Sequence, residues 1–255
     1  MGTLQGRRRG RPIYVEIPVR CGIERLWQLT QNTALHPRWD LRFSAIIPTD
    51  PGADGTQCFR YEFRLPFHTI RGTGTSLGTR GSAGGHSTSV LKFTTGDPLS
   101  PIGTGAGYWR YLEHDGGVRF ITSYNYQPGW GVAGRVLDRR IIRPALGWAT
   151  ALSFDRLRLW AESGIDPAAA RTAWLADAAA RTAGWSLGIG LLAGAFRRPG
   201  TVAPLAAGVI GGLLAGAAWA FPPSTAVPRA GRCLRSEPDR GPAHPPASPG
   251  LAEAA

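Results

Sequence analysis

The order of elements between residues 13 and 162 constrains this chain more than any other feature. Residues 13–19 (Ile-Tyr-Val-Glu-Ile-Pro-Val) alternate apolar and polar as a half-buried strand does. Residues 24–31 read as a short helix with Ile23, Leu26 and Trp27 able to face inward. A run of strands follows with no further helix, at 41–47, 57–65, 69–79, 87–95, 105–113 and 118–126, and then one amphipathic helical pattern from about 132 to 162. A helix that follows a strand meander buries its apolar stripe only against the face of that sheet. A twisted sheet curling round one helix rarely fills the space between them, so a cavity there is the first place to look for function.

Local signals sharpen this order. Residues 48–55 form a turn rich in Asp, Gly and Pro, and His114, Asp115, Gly116 and Gly117 make a strong hairpin signal. Leu137, Ile141, Ala145, Trp148, Leu152 and Leu159 recur at helical spacing after Pro128 and Gly129 close the sheet. Pro144 interrupts that helix and predicts a kink near Arg140, because it removes a donor and clashes with the preceding turn.

Three stretches carry a resemblance. They are Ile-Pro-Val at 17–19 followed by Glu-Arg-Leu-Trp at 24–27, Trp-Asp-Leu-Arg-Phe at 39–43, and the closing helix at 147–160. Over about residues 13–162 the chain resembles the helix-grip superfamily of polyketide cyclases, START-type lipid carriers and related small-ligand proteins, abbreviated SRPBCC. The resemblance implies an α+β helix-grip fold, a curved antiparallel sheet wrapped around a long C-terminal helix. That superfamily holds enzymes, carriers and pure binders, so the fold does not choose among them.

The aromatics point to the interior. Alternation places Phe59, Tyr61 and Phe63 on one face of a strand, and Phe120, Thr122, Tyr124 and Tyr126 on one face of another. The candidate cavity residues are Trp39, Tyr61, Phe63, Phe120, Thr122, Tyr124, Trp148 and Leu152. Together they would line an apolar chamber with a few hydroxyls to orient a ligand. The competing expectation is a filled core.

Other chemistry fares less well. Gly74, Ser76 and Gly78 match the nucleophile-elbow spacing, but the sequence after Ser76 cannot begin the helix that motif requires. The glycines at 72–85 match no nucleotide fingerprint and suit a bending hairpin. His36, His68, His86, His114 and His244 lack ligand spacing, so neither a metal nor a cofactor is expected, and no residue is assigned a catalytic role. Asp40 is expected to cap or to pair with Arg42. Cys21, Cys58 and Cys233 are too scattered for a disulfide framework and fit a reducing compartment.

Charge gives few partners. The net charge is +12, and residues 13–164 hold 17 basic against 12 acidic groups with no basic patch interleaved with aromatics, so nucleic acid is not an expected partner. Residues 1–12 carry Arg7, Arg8, Arg9 and Arg11 without an acid and read as a disordered basic tail, with no signal-peptide core behind it. Arg135, Arg139 and Arg143 repeat every four residues, either as a solvated face partly paired with Asp138 or as a contact for anionic headgroups.

Composition shifts after Gly164. Residues 165–221 read as an apolar helical hairpin, with a helix at 168–180, a 15-residue uncharged run at 182–196, a break at 197–200 and a 21-residue uncharged run at 201–221. The second run reaches the roughly 20 residues that span a bilayer. Glycine pairs at 184/188, 190/194, 208/212 and 212/216 have the spacing of close helix contacts. Flanking Arg171, Arg181, Arg229, Arg232 and Arg235 outnumber Arg197 and Arg198, which places the 13–164 domain on the cytoplasmic face of the membrane. Residues 222–255, rich in Pro, Ala, Gly and Arg, read as disordered.

The expected function is binding or carriage of a hydrophobic small molecule, lipid or polyketide-like, with the membrane contacted through residues 182–221. Two alternatives stand beside it. One is a cyclase- or dehydratase-type enzyme with convergent polar cavity groups. The other is an interaction module whose interior is filled, below about 300 Å³ of free space. A fragment ending at 164 is expected to fold alone.

Overall fold

Alternation in the sequence becomes one seven-stranded antiparallel sheet. The computed structural model describes residues 10–52, 55–82, 86–114, 116–197 and 202–238. The strands are β1 (Ile13–Val19), β2 (Ala45–Pro48), β3 (Gln57–Arg64), β4 (Thr69–Ser82), β5 (His86–Thr94), β6 (Ile102–His114) and β7 (Gly117–Pro128). Their spatial order is β1-β7-β6-β5-β4-β3-β2. Two short helices, α1 (Ile23–Gln31) and α2 (His36–Trp39), fill the connection from β1 to β2. After β7 come α3 (Gly131–Leu137), a π-helical turn (Asp138–Ile142) and α4 (Arg143–Ser163), which packs on β1, α1 and α2. This is the α+β helix-grip architecture.

Register sets the inner face. Ile17 pairs with Phe120, and Phe120 with Tyr111, so these rows point the same way across three strands. Phe120 stacks on Phe154 of α4 with ring centroids 4.5 Å apart. Fully burying such side chains contributes about 1.5–3 kcal/mol each. The short helices are fastened rather than merely packed. Trp39 Nε1 donates to the Leu29 carbonyl at 2.9 Å, and the buried Arg156 of α4 donates to the carbonyls of Trp39 (3.0 Å), Arg38 (2.9 Å) and Pro167 (3.0 Å).

The closing helix departs from the expected continuous stripe. Leu137, Ile141 and Trp148 are 37%, 59% and 41% exposed, and Ala145 is exposed too, whereas Leu152 and Leu159 are buried. The π-helical turn lies directly before Pro144. Proline has no N–H and its ring crowds the Arg140 carbonyl, and the wider turn accommodates both. Exposure persists past that turn through Trp148, and residues 150–157 are then buried on every side, so depth along the helix and not its phase separates Leu137, Ile141, Ala145 and Trp148 from Leu152 and Leu159. The strand expected at 41–47 likewise shrinks to β2, because Leu41–Ser44 turns the chain out of α2.

The chain divides into two units, residues 1–167 with 229–255 and residues 168–228. The tail expected to be disordered from 222 onward therefore returns in part. Residues 230–232 form a 3₁₀ turn, and Leu234 exchanges two 2.9 Å backbone hydrogen bonds with Glu16 on the free edge of β1. Asp155, fully buried, accepts from the Arg229 N–H (2.7 Å), Arg232 Nη1 (2.6 Å) and Arg158 Nε (2.7 Å). Cys233 donates to the Ala151 carbonyl at 3.2 Å. A segment poor in apolar residues is held here by backbone pairing and charge-assisted bonds, which composition does not register. At the other terminus, Gly10 and Arg11 carbonyls accept from Asn125 Nδ2 (3.0 Å) and Arg143 Nη1 (2.7 Å). The rest of the expected N-terminal and C-terminal disordered stretches, 1–9 and 239–255, lies outside the described residues.

In the second unit α5 (Pro167–Arg197) runs unbroken through the boundary expected near 181, since nothing there breaks a helix. It lies beside α6 (Val202–Ala220). Gly188 and Gly211 approach so closely that a Cβ on either would meet the other's carbonyl oxygen within 2.7 Å. Of the expected glycine pairs, Gly184/Gly188 is used, while Gly190, Gly194, Gly212 and Gly216 meet nothing. Arg181 donates to the carbonyls of Ala218 (2.7 Å) and Phe221 (2.8 Å). Among the described residues, no helix is long and apolar enough to cross a membrane. The spanning expectation therefore finds no helix among those residues to carry it; α6 is 19 residues, about 28 Å at 1.5 Å each. The break expected at 197–200 lies mostly outside the described residues.

A fragment ending at 164 lacks the strap that covers β1 and leaves Asp155 with Arg158 alone. Asp155→Asn is expected to cost about 2–4 kcal/mol in urea unfolding, as for loss of one partner from a buried pair. Truncation after Pro228 should cost a similar amount, and the two together much less than their sum. Additive costs would show that the strap does not depend on Asp155.

Candidate ligand cavity

Aromatic side chains on the inner face sit opposite glycines. Phe59 pairs with Gly74, Tyr61 with Gly72, Phe93 with Gly105 and Tyr124 with Gly107. A Cβ at Gly72 would lie 2.3 Å from the Tyr61 ring, and one at Gly74 2.5 Å from the Phe59 ring. The rings of Phe59, Tyr61 and Phe93 therefore lie over the bare backbone instead of standing into the interior, whereas Tyr124 meets Gly107 through its Cβ and reaches Thr150 of α4 with its hydroxyl. The sheet is lined with aromatic faces, yet the bowl is left open.

α4 covers the β1 side of this bowl. Over the remaining part is a cavity of about 210 Å³, open to solvent. Its walls come from β3 to β7, from Leu41, Arg42 and Phe43 after α2, from Ser100, Pro101 and Ile102 before and within β6, and from Leu146 and Ala149 of α4. The volume is below the ~300–1,000 Å³ of sites that enclose a drug-sized ligand. It equals roughly seven waters at ~30 Å³ each. A molecule of one or two rings fits inside, and a longer one would extend through the mouth.

One buried ionic chain reaches the cavity. Arg42 grips Asp40 with two bonds, Nε to Oδ1 at 2.9 Å and Nη2 to Oδ2 at 2.6 Å. His36 Nε2 lies 3.1 Å from Asp40 Oδ2. The imidazole is boxed by Trp39, Phe43 and Trp109, with ring centroids 4.8–5.1 Å away. Burial pushes Asp40 toward the neutral acid, but the Arg42 charge and the bonds from His36 and Arg42 win and hold the carboxyl far below its ordinary range. Burial also lowers His36, and outweighs the upward pull of Asp40. Burial would lower Arg42 as well, but Asp40, and after it Tyr124, raises it. The pairing expected of Asp40 is thus present, and it places a guanidinium in the cavity wall.

The other polar lining groups are engaged with the protein. Thr150 Oγ1 donates to the Leu146 carbonyl at 2.8 Å, so the 2.9 Å contact between Tyr124 and Thr150 has the phenol donating. The Arg42 guanidinium carbon lies 5.3 Å from the Tyr124 ring centroid. Tyr61 donates to the Thr94 carbonyl at 3.3 Å, and burial pushes its hydroxyl up to about 12. Thr122 donates to the Tyr108 carbonyl (3.0 Å) and Ser100 to the Ile102 carbonyl (2.6 Å).

Of the residues expected in the cavity, Tyr61, Phe63, Thr122 and Tyr124 line it. The other four do not. Trp39 and Phe120 are fully buried in packing, Leu152 is buried on α4, and Trp148 is exposed. The first three pack in the half of the domain that α4 covers, and Trp148 lies on α4 before its fully buried stretch, 150–157, begins. Sequence reasoning missed Arg42, Phe93 and Ala149 as lining residues. The run Trp39-Asp40-Leu41-Arg42 held the signal for Arg42, since a carboxylate two residues from a guanidinium can be buried only as a pair. Ser76 of the elbow-like pattern sits mid-strand and contacts Ser89 Oγ at 3.0 Å, so it is a cross-strand pair and not a nucleophile on a turn.

No family model matches the chain. The "uncharacterized membrane protein YndG" of Bacillus subtilis is 44% identical over 161 residues, covering 62% of this chain and 60% of that protein. The chain thus spans less than two thirds of that relative's length. Similar solved structures include the Zhui aromatase/cyclase from a Streptomyces species, at 10% identity and a TM-score of 0.43, covering 60% of this chain and 97% of that one. The STAR-related lipid transfer protein from Xanthomonas axonopodis is 14% identical with a TM-score of 0.43, covering 56% and 81%. At such identities the likeness concerns the fold alone.

Both lowered groups make acid destabilising. Above about pH 6.5 the folded and unfolded chains carry the same protons at His36 and Asp40, and the full contribution is present. As pH falls below 6.5 the unfolded chain gains a proton at His36 that the folded one resists, and below about 4 the same holds at Asp40. Stability measured by urea is expected to decline from pH 7 to 5 and more steeply below 4. His36→Gln should flatten the first decline relative to the parent, and an identical slope would remove His36 from that account.

Proposed function

We propose that the first unit binds a hydrophobic small molecule of one or two rings, or the end of a longer chain, in the cavity beside α4, with an oxygen of the ligand turned toward Arg42 and Tyr124. The observation that supports this most is the lining: apolar and aromatic walls with a single ion-paired cation. Binding is favoured over chemistry because Arg42, Tyr61, Ser100, Thr122 and Tyr124 are each already engaged with protein partners. An acid–base catalyst needs a proton-transfer group aimed at the ligand.

The setting we propose is the cytoplasmic face of a membrane, where an apolar ligand is concentrated. The Bacillus subtilis relative is named a membrane protein, and α5 and α6 expose Leu187, Ile189, Val209, Ile210 and Leu213.

The probe is 1-anilinonaphthalene-8-sulfonate, with three aromatic rings, of which the fused pair or the single phenyl can enter while the rest extends through the mouth, and one anionic sulfonate. It is expected to fluoresce on binding the full chain. Ala149→Phe, which projects into the cavity, should weaken that binding at least tenfold, about 1.4 kcal/mol, with thermal unfolding little changed. Tyr124→Phe should keep the fold and cost about 1 kcal/mol of affinity. Equal binding by parent and Ala149→Phe would return the cavity to the filled-module reading.

A further inference from the structure

The cavity mouth is ringed by apolar side chains that face water. Phe67 is fully exposed, at the tip of the turn between β3 and β4. Leu65 beside it, Leu99 before β6, Trp130 after β7 and Val132 and Val136 on α3 are all exposed as well. These segments are tied to one another. His68 Nε2 lies 2.8 Å from Asp97 Oδ2, the Leu65 N–H donates to the His68 carbonyl (2.7 Å), and the Gly129 N–H donates to the Pro101 carbonyl (2.9 Å). Phe63, Ile70, Pro101 and Ile102, which flank them, line the cavity. The exposed ring is therefore continuous with the apolar interior.

Two features say this ring is built to face outward. Trp130 is the one non-glycine residue at positive φ (54°) among the described residues, a costly conformation for a bulky side chain. It holds the indole out where α3 begins. The exposed charge beside the apolar groups is mainly basic, while the acids Asp97 and Glu62 are engaged with His68 and with Arg64 and Arg71. Arg135, Arg139 and Arg140 are exposed on α3 and the following turn, interleaved with Val132, Val136 and Ile141. The acid on those elements, Asp138, is buried beneath Tyr126 and Arg143. On the opposite side Arg64 and Arg71 share one carboxylate, Glu62. Apolar tips with arginines that can snorkel past them suit the boundary of an anionic bilayer.

We propose that this rim is a membrane-docking surface that enters the headgroup region of an anionic bilayer and sets the cavity mouth against the lipid, so that an apolar ligand passes between bilayer and cavity without crossing water. The proposal rests on the ligand reading above for its purpose, but the surface itself is tested separately.

The test uses the full chain with a polarity-sensitive fluorophore at Phe67→Cys, in a Cys21→Ser/Cys58→Ser background, mixed with vesicles of phosphatidylcholine with or without phosphatidylglycerol. The label is expected to shift to the blue and to be quenched by brominated acyl chains on the anionic vesicles. Reversing Arg135, Arg139 and Arg140 to Glu should weaken that response at least fivefold. Several results would overturn the proposal: a label that stays water-like on anionic vesicles, a response that ignores the charge reversal, or a shift that needs protein concentration and no lipid, which marks a second copy as the occupant. A label at Leu213→Cys that shifts when the one at Phe67→Cys does not would also overturn it, assigning lipid contact to α6 alone. Ala149→Phe should leave the Phe67→Cys response intact while abolishing probe binding, which separates failure of the rim from failure of the cavity.

Discussion

The buried guanidinium of Arg156 holds the rest of the first unit in place. Its charge is met by the carbonyl dipoles of Arg38, Trp39 and Pro167. A buried cation so placed is tolerable only while all of those acceptors stay put, so the bond network fixes the backbone that leaves α2. That backbone delivers Trp39 to the core, Asp40 to the ionic chain and Arg42 to the cavity wall. The Ser153 hydroxyl, which accepts the Leu41 N–H at 2.9 Å, adds a second fastening one turn earlier on α4.

The cavity follows from two packing decisions. One is the placement of glycine opposite aromatic residues, which lets the rings of Phe59, Tyr61 and Phe93 lie against the sheet. The other is the position of α4, which packs on β1 and leaves the far strands without a covering helix. Neither arrangement alone leaves space. Standing aromatics would fill an uncovered bowl, and a centred helix would fill a flat-lined one.

Much of the fold was legible. Strand alternation located β3, β6 and β7 to within a few residues, and the Asp-Gly-Gly turn joined the last two. Pro144 correctly marked the break in the closing helix. The exposure along the closing helix was not legible, because residues 150–157 are buried on every side while Leu137 to Trp148 precede that cover, and a 3.6-residue period marks a face and not a depth along the axis. Half of the expected cavity residues were either packed into the core that α4 covers or, like Trp148, exposed before that cover begins. The ordered strap at 229–234 was also hidden, since backbone pairing with Glu16 leaves no mark on composition.

The sequence by itself determined which residues alternate, where the chain turns, and that a helix must close on a sheet, because these follow from local sterics and from the need to bury apolar side chains. Tertiary structure alone decided which face of α4 meets the strands, where the glycines fall against the aromatics, and that the chain's distal segment returns to β1. Each of those depends on pairing between residues dozens of positions apart, and no local period encodes a register across such distances.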